Sequence, residues 1–178
     1  MKEEGLNQGI VRIDADEIRS IFVPLGYDGR NSDEYKRGCN KGVEILFDSC
    51  LKNRYHVIID GTFASLRVAE RNIISAIGVG ASIFIVYVYQ DPLLAWGFTK
   101  VREKEEGRRV DKELFIKSLF QSIDNVDKIK EKYGDKIEIW FVEKDISNIT
   151  KNIIFDIHSV DKQVKMPNYT NLKELLYE

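Results

Sequence analysis

The sequence has 178 residues, of which 43% are hydrophobic and 31% charged, with a formal net charge of -2. That balance fits one globular domain and argues against a disordered chain. A near-neutral charge leaves no electrostatic footprint for nucleic acid, and no apolar run approaches the ~20 residues that span a bilayer, so neither is an expected partner.

From the amino end, Met1-Lys2-Glu3-Glu4-Gly5 has no apolar signal core, which makes the cytoplasm the expected compartment. Val11-Arg12-Ile13 reads as a strand ending at Asp14. A short helix from Asp16 to about Val23 follows, stopped by Pro24. Leu25 to Asn31 reads as a loop. Ser32 is expected to cap a long helix with Tyr35, Cys39, Val43, Phe47 and Cys50 at helical spacing. Cys39 and Cys50 would lie roughly 16 Å apart along it, too far to bridge. Tyr55 to Ile59 reads as a buried strand closed by Asp60-Gly61-Thr62, then a helix from Ser65 to Ile77 stopped by Gly78.

Ser82 to Tyr89 is the strongest strand, β-branched and aromatic. Asp91 and Pro92 open a helix that carries Leu94, Trp96, Phe98 and Val101 and ends near Gly107. Asp111 caps the next, whose apolar face holds Leu114, Phe115, Leu119, Ile123, Val126 and Ile129 before Gly134 ends it. Lys136 to Val142 is a final strand, Ile149 to Ile157 fits helix or strand, and the tail from Asp161 is weakly specified. Alternating strands and helices predict a parallel sheet covered on both faces, in one domain over residues 1–160 with a tail at 161–178. In such sheets function gathers at the carboxyl ends of strands.

Four features there can carry chemistry. Asp14 and Asp16 flank one residue at a strand end. Such a pair can hold magnesium or supply a general base, and Asp16 also reads as a helix cap. Asp60-Gly61-Thr62 offers a carboxylate, a close backbone approach and a hydroxyl, or a simple turn with a cap. Arg102, Arg108 and Arg109 surround Gly107, and read either as a solvated helix end or as a mobile lid that meets phosphate. Glu44 lies beside the apolar stripe of the long helix, where a solvated surface role is the plain alternative.

In their order and spacing these pieces resemble the zeta-toxin family of P-loop kinases. The matching stretches are Ile13-Asp14-Ala15-Asp16-Glu17-Ile18-Arg19, Val57-Ile58-Ile59-Asp60-Gly61-Thr62, Val86-Tyr87-Val88-Tyr89-Gln90-Asp91-Pro92, Arg102-Glu103 and Gly107-Arg108-Arg109-Val110. The resemblance implies ATP-dependent phosphorylation of a small-molecule hydroxyl, a nucleotide sugar such as UDP-N-acetylglucosamine, with magnesium. It makes Asp16 the base. Asp14, Arg19, Glu44, Asp60 and Thr62 become acceptor contacts, with Asp14 also a magnesium ligand, and Arg102, Arg108 and Arg109 meet the ATP phosphates. Ala64 departs from the pattern, where some members place an arginine.

Such kinases need Gly-x-x-x-x-Gly-Lys-Ser/Thr, whose amides cradle phosphate. None of the twelve glycines begins that pattern. The expected architecture is therefore a three-layer α/β P-loop kinase-like parallel sheet lacking its first strand and P-loop. The strands ending at Asp60 and Tyr89 would then each lack a neighbour. The partners implied are the acceptor, and an antitoxin or an N-terminal segment that supplies the loop. Two alternatives remain: a non-enzymatic remnant or interaction module, and a haloacid-dehalogenase-type phosphatase with Asp14 as nucleophile, Asp16 as acid/base and Asp145 as a later acid.

Overall fold

The long helix and the first two strands set the frame of the amino-terminal part. The computed structural model describes residues 9–107 and 109–177, and the chain divides into two compact units, Met1–Gly61 and Thr62–Glu178.

In the first unit β1 (Ile10–Asp14) runs parallel to β2 (His56–Asp60), with Asp14 beside Asp60. Helix α1 (Ala15–Ser20) leaves the end of β1, and α2 (Ser32–Lys52) packs on both strands and on α1. Of its expected stripe, Cys39, Phe47 and Cys50 are buried together with Ile13 of β1, and Tyr35 and Val43 are partly buried. Both cysteines are free. Gly38 and Gly42 let the α1 region lie close. A Cβ at Gly38 would stand 3.0 Å from the Phe22 ring, and one at Gly42 would stand 3.0 Å from Ile18 Cγ2. Two helix-interior glycines are otherwise unfavourable.

Two boundaries differ from the sequence reading. Helix α1 stops at Ser20, and Pro24 sits inside a separate 3-10 turn, Val23–Leu25. Asn31, not Ser32, holds the N-cap position of α2, without a side-chain cap hydrogen bond, and the Ser32 hydroxyl donates back to the Gly29 carbonyl at 2.6 Å.

The second unit holds α3 (Leu66–Gly78), β3 (Ile83–Tyr89), α4 (Pro92–Glu106), α5 (Lys112–Tyr133), β4 (Ile137–Lys144), β5 (Thr150–Ile154) and α6 (Tyr169–Tyr177). β3 and β4 are parallel, whereas β5 runs antiparallel beside β4, so the ambiguous 149–157 stretch holds a strand at Thr150–Ile154 and the sheet is mixed. Ile73, Ile123, Val126, Ile129, Ile139 and Phe141 form the core between sheet and helices, with Tyr87 and Tyr89 stacked on Phe141. Gly78 lies within α3, and the backbone reverses at Gly80, whose φ is +71°.

The tail is ordered. α6 packs on α4 and α5 through Leu172 and Leu176 against Ile116. In this packing Ile116 is fully buried and Leu114 is exposed, the reverse of its expected place.

Among the described residues β2 has β1 as its one strand neighbour, and β3 has β4. β3 also keeps one face uncovered, with Phe84, Val86 and Val88 exposed at 54%, 52% and 57%. No described helix is long and apolar enough to cross a membrane.

Candidate active site

The first unit brings four of the expected side chains to one end of its sheet: Asp14, Asp16, Arg19 and Asp60. β1 delivers Asp14 as the N-cap of α1, where its Oδ1 accepts the Asp16 N–H at 2.8 Å. The neighbouring strand end delivers Asp60. Between them stands Arg12, two residues back on β1 and so on the same face of the strand as Asp14. Its Nη2 donates to Asp14 Oδ2 at 2.6 Å and to Asp60 Oδ2 at 3.1 Å, and its Nη1 donates to Glu17 Oε1 at 3.1 Å. The hydrogen bond to Asp60, with the charges of Asp14 and Glu17 behind it, holds the Arg12 guanidinium above its ordinary pKa.

Asp16 lies in the first turn of α1, half-buried and ion-paired to Arg19 one turn on. Arg19 is largely enclosed, and its Nε is buried with no hydrogen-bond partner among the described residues. A buried donor without an acceptor is costly, so the position favours an incoming oxygen.

Glu44 is half-buried on α2 and accepts from Lys41 Nζ at 3.0 Å. With Asp33, Lys36, Arg37, Asn40 and Lys41 it borders an open depression of about 640 Å³ along the helix.

The second unit carries the others. Thr62 is exposed just after β2. The next residue, Phe63, adopts a left-handed conformation with φ 55°, and its carbonyl accepts from Asn125 Nδ2 at 3.0 Å. Helix α5 thus fixes the loop that follows Thr62. Arg102 is exposed near the end of α4, Gly107 ends that helix at φ 73°, and Arg109 is exposed beyond it. Arg108 lies outside the described residues. At the far end of β3, Gln90 Nε2 donates to the Asp145 carbonyl at 2.8 Å. The Asp145 carboxylate closes the β4–β5 turn, with Oδ1 accepting the Ser147 and Ile149 N–H groups at 2.8 and 2.9 Å. It does structural work there, unlike the later acid of the phosphatase alternative.

A family model described as zeta toxin matches residues 1–158. The chain belongs to the zeta toxin family. A solved structure from the molecular and structural characterization of the PezAT chromosomal toxin-antitoxin system of Streptococcus pneumoniae is similar, with a TM-score of 0.59 and 20% identity. The likeness covers 93% of this chain and 66% of that one, so the chain spans just under two thirds of its neighbour's length. At that identity it speaks for the fold, a P-loop kinase-like α/β arrangement. No curated protein sequence matches.

As a zeta toxin family member, the chain departs from the phosphatase alternative at the level of family. The family match ends before α6, so the helix that packs on α4 and α5 lies beyond it. Two contributors went unseen in the sequence. Arg12 has a local signal, its same-face spacing from Asp14. Asn125 has none, since its partner Phe63 is 62 residues away. Asp14 also fits poorly as a magnesium ligand: each oxygen already accepts a hydrogen bond, and a guanidinium stands beside it.

Proposed function

We propose that this chain carries the acceptor-activating residues of an ATP-dependent phosphotransferase that acts on a small-molecule hydroxyl, a nucleotide sugar such as UDP-N-acetylglucosamine. The observation that carries this reading is the Asp16–Arg19 pair at the end of a parallel strand, with Arg19 Nε buried and without a hydrogen-bond partner among the described residues. Asp16 takes the proton from the acceptor hydroxyl as that oxygen bonds to the γ-phosphorus and the bond from the γ-phosphorus to the β,γ-bridging oxygen breaks, releasing ADP. Arg19 holds Asp16 in place and offers its Nε–H to an acceptor oxygen. Glu44, Asp60 and Thr62 bind the acceptor. Arg102, Arg108 and Arg109 neutralise the charge spread over the transferring phosphoryl group. Magnesium, arriving on the nucleotide, supplies further charge neutralisation.

A toxin role with an antitoxin as partner is part of the same reading, supported by the toxin-antitoxin system of the structural neighbour. The test is transfer of labelled γ-phosphate from ATP to UDP-N-acetylglucosamine, with the chain joined to a strand–loop–helix segment bearing the Walker pattern. No labelled sugar nucleotide under any divalent-ion condition would refute it. A second reading, a non-enzymatic interaction module, is favoured by one observation: the 178 residues contain no Walker pattern.

A further inference from the structure

Arg12 stands where a cation would. Its Nη2 lies 2.6 Å from Asp14 Oδ2 and 3.1 Å from Asp60 Oδ2, bridging the ends of two parallel strands. Its Nη1 reaches Glu17 at 3.1 Å, so three carboxylates surround one guanidinium. The remaining Asp14 oxygen accepts the Asp16 N–H. A magnesium ion bound to Asp14 needs oxygen at roughly 2.0–2.1 Å and near-octahedral freedom around itself. Here it would share Asp14 Oδ2 with a side chain that stays charged at any working pH. Among the described residues no three His, Cys, Asp or Glu side chains are placed to hold a metal.

We propose that Arg12 is a built-in counter-cation: it locks Asp14 to Asp60, positions the turn that bears Asp16, and keeps divalent metal out of this acid cluster. Two strand-end acids that face each other in register would repel without it. The clamp removes that repulsion while leaving Asp16, on the next turn, outside its reach. Magnesium that accompanies a nucleotide is then held by other groups. The inference does not depend on the phosphotransferase reading, because it concerns the acid cluster of this chain without any nucleotide.

The experiment is a manganese titration of the ¹⁵N-labelled full chain, followed by paramagnetic broadening of the Asp14, Asp16, Asp60 and Gly61 amides. For the wild type, up to about 1 mM manganese, at the weak end of protein cation sites, is expected to leave these amides no broader than other exposed acidic regions. Arg12→Gln is expected to gain selective broadening there, with affinity at least about tenfold higher, because a fixed positive charge beside a dication is lost. Arg12→Lys keeps the charge and is expected to stay near the wild type. Selective broadening in the wild type would overturn the proposal, as would a folded Arg12→Gln chain with no gain. If Arg12→Gln does not fold, the wild-type titration alone decides.

Discussion

Asp14 Oδ1 accepts the backbone N–H of Asp16 at 2.8 Å, so the first carboxylate builds the turn that presents the second. The two acids therefore answer to different tests. Asp14→Ala removes a cap and is expected to cost about 1 kcal/mol, while Asp14→Asn stays closer to the wild type because Asn caps as well as Asp. Urea unfolding followed by circular dichroism measures both. An Asp14→Ala chain with wild-type stability would take the cap out of the account of α1.

Asp16 is the opposite case. Its side chain does not cap the helix, so Asp16→Asn should fold normally. In the chain joined to a Walker-bearing segment, turnover should fall by at least ~100-fold, the usual scale for loss of a general base. The acceptor KM should move little. An unchanged turnover number would remove Asp16 from the mechanism, whatever the fate of the rest of the site.

The parts that the sequence disclosed are those decided locally. β3 is seven apolar residues in a row, and α2 repeats its buried stripe at helical spacing, so both are visible without a partner. The misplaced details depend on distant contacts. Leu114 and Ile116 are equally apolar, and it is Ile116 that joins the cluster with Leu172 and Leu176 of α6 and Trp96 of α4. Ser32 has the chemistry of a cap, but its hydroxyl donates to the Gly29 carbonyl instead. Gly78 reads as the stop of α3, but Gly80 is the one of the two that takes a positive φ. The site divides in the same way. Asp14, Asp16 and Asp60 stand at or just past strand ends and could be named, whereas the Arg12 bridge to Asp60 forms only through a register with a strand 48 residues on.

The absence of a Gly-x-x-x-x-Gly-Lys-Ser/Thr pattern from the 178 residues has a direct consequence for nucleotide binding. Backbone amides of that loop and its lysine make the main grip on the phosphates. Arginines on a helix end do not replace an amide cradle. This polypeptide alone is expected to bind ATP poorly by calorimetry. Micromolar, magnesium-dependent ATP binding would show that other groups hold the triphosphate.

The uncovered face of β3 makes a further demand. Phe84, Val86 and Val88 are exposed on a strand whose outer edge has no described neighbour. A long, apolar, uncharged edge is prone to pair with other chains. Val86→Lys should therefore raise the soluble fraction on concentration and lower thioflavin binding. It should leave the melting transition close to the wild type, since the side chain is already half in water. A large loss of stability would mean that this face is covered in solution.

α6 should dock in a pH-dependent way. Glu113 at the start of α5 pairs with Lys173 at 2.8 Å and accepts a hydrogen bond from Tyr169, and these contacts, Lys173 first, hold its carboxyl below the ordinary glutamate range. Lys173 is correspondingly raised, by Glu113. A depressed carboxyl contributes stability that is present above its unfolded pKa and is lost as pH falls through the folded value. A raised ammonium contributes below its unfolded pKa, and that share is lost as pH rises through its folded value. Docking should thus be flat through neutrality, with a shallow acid limb below the ordinary glutamate range and an alkaline limb above the ordinary lysine range. The limbs are shallow because exposed pairs contribute little. The apolar seat does most of the holding, and Leu172→Ala, at a fully buried position, should cost about 2–5 kcal/mol. Methyl chemical shifts of Leu172 and Leu176 followed against pH separate the two contributions. Glu113→Gln should flatten the acid limb and leave the neutral plateau in place. An acid limb unchanged in that variant would assign the transition to other carboxylates.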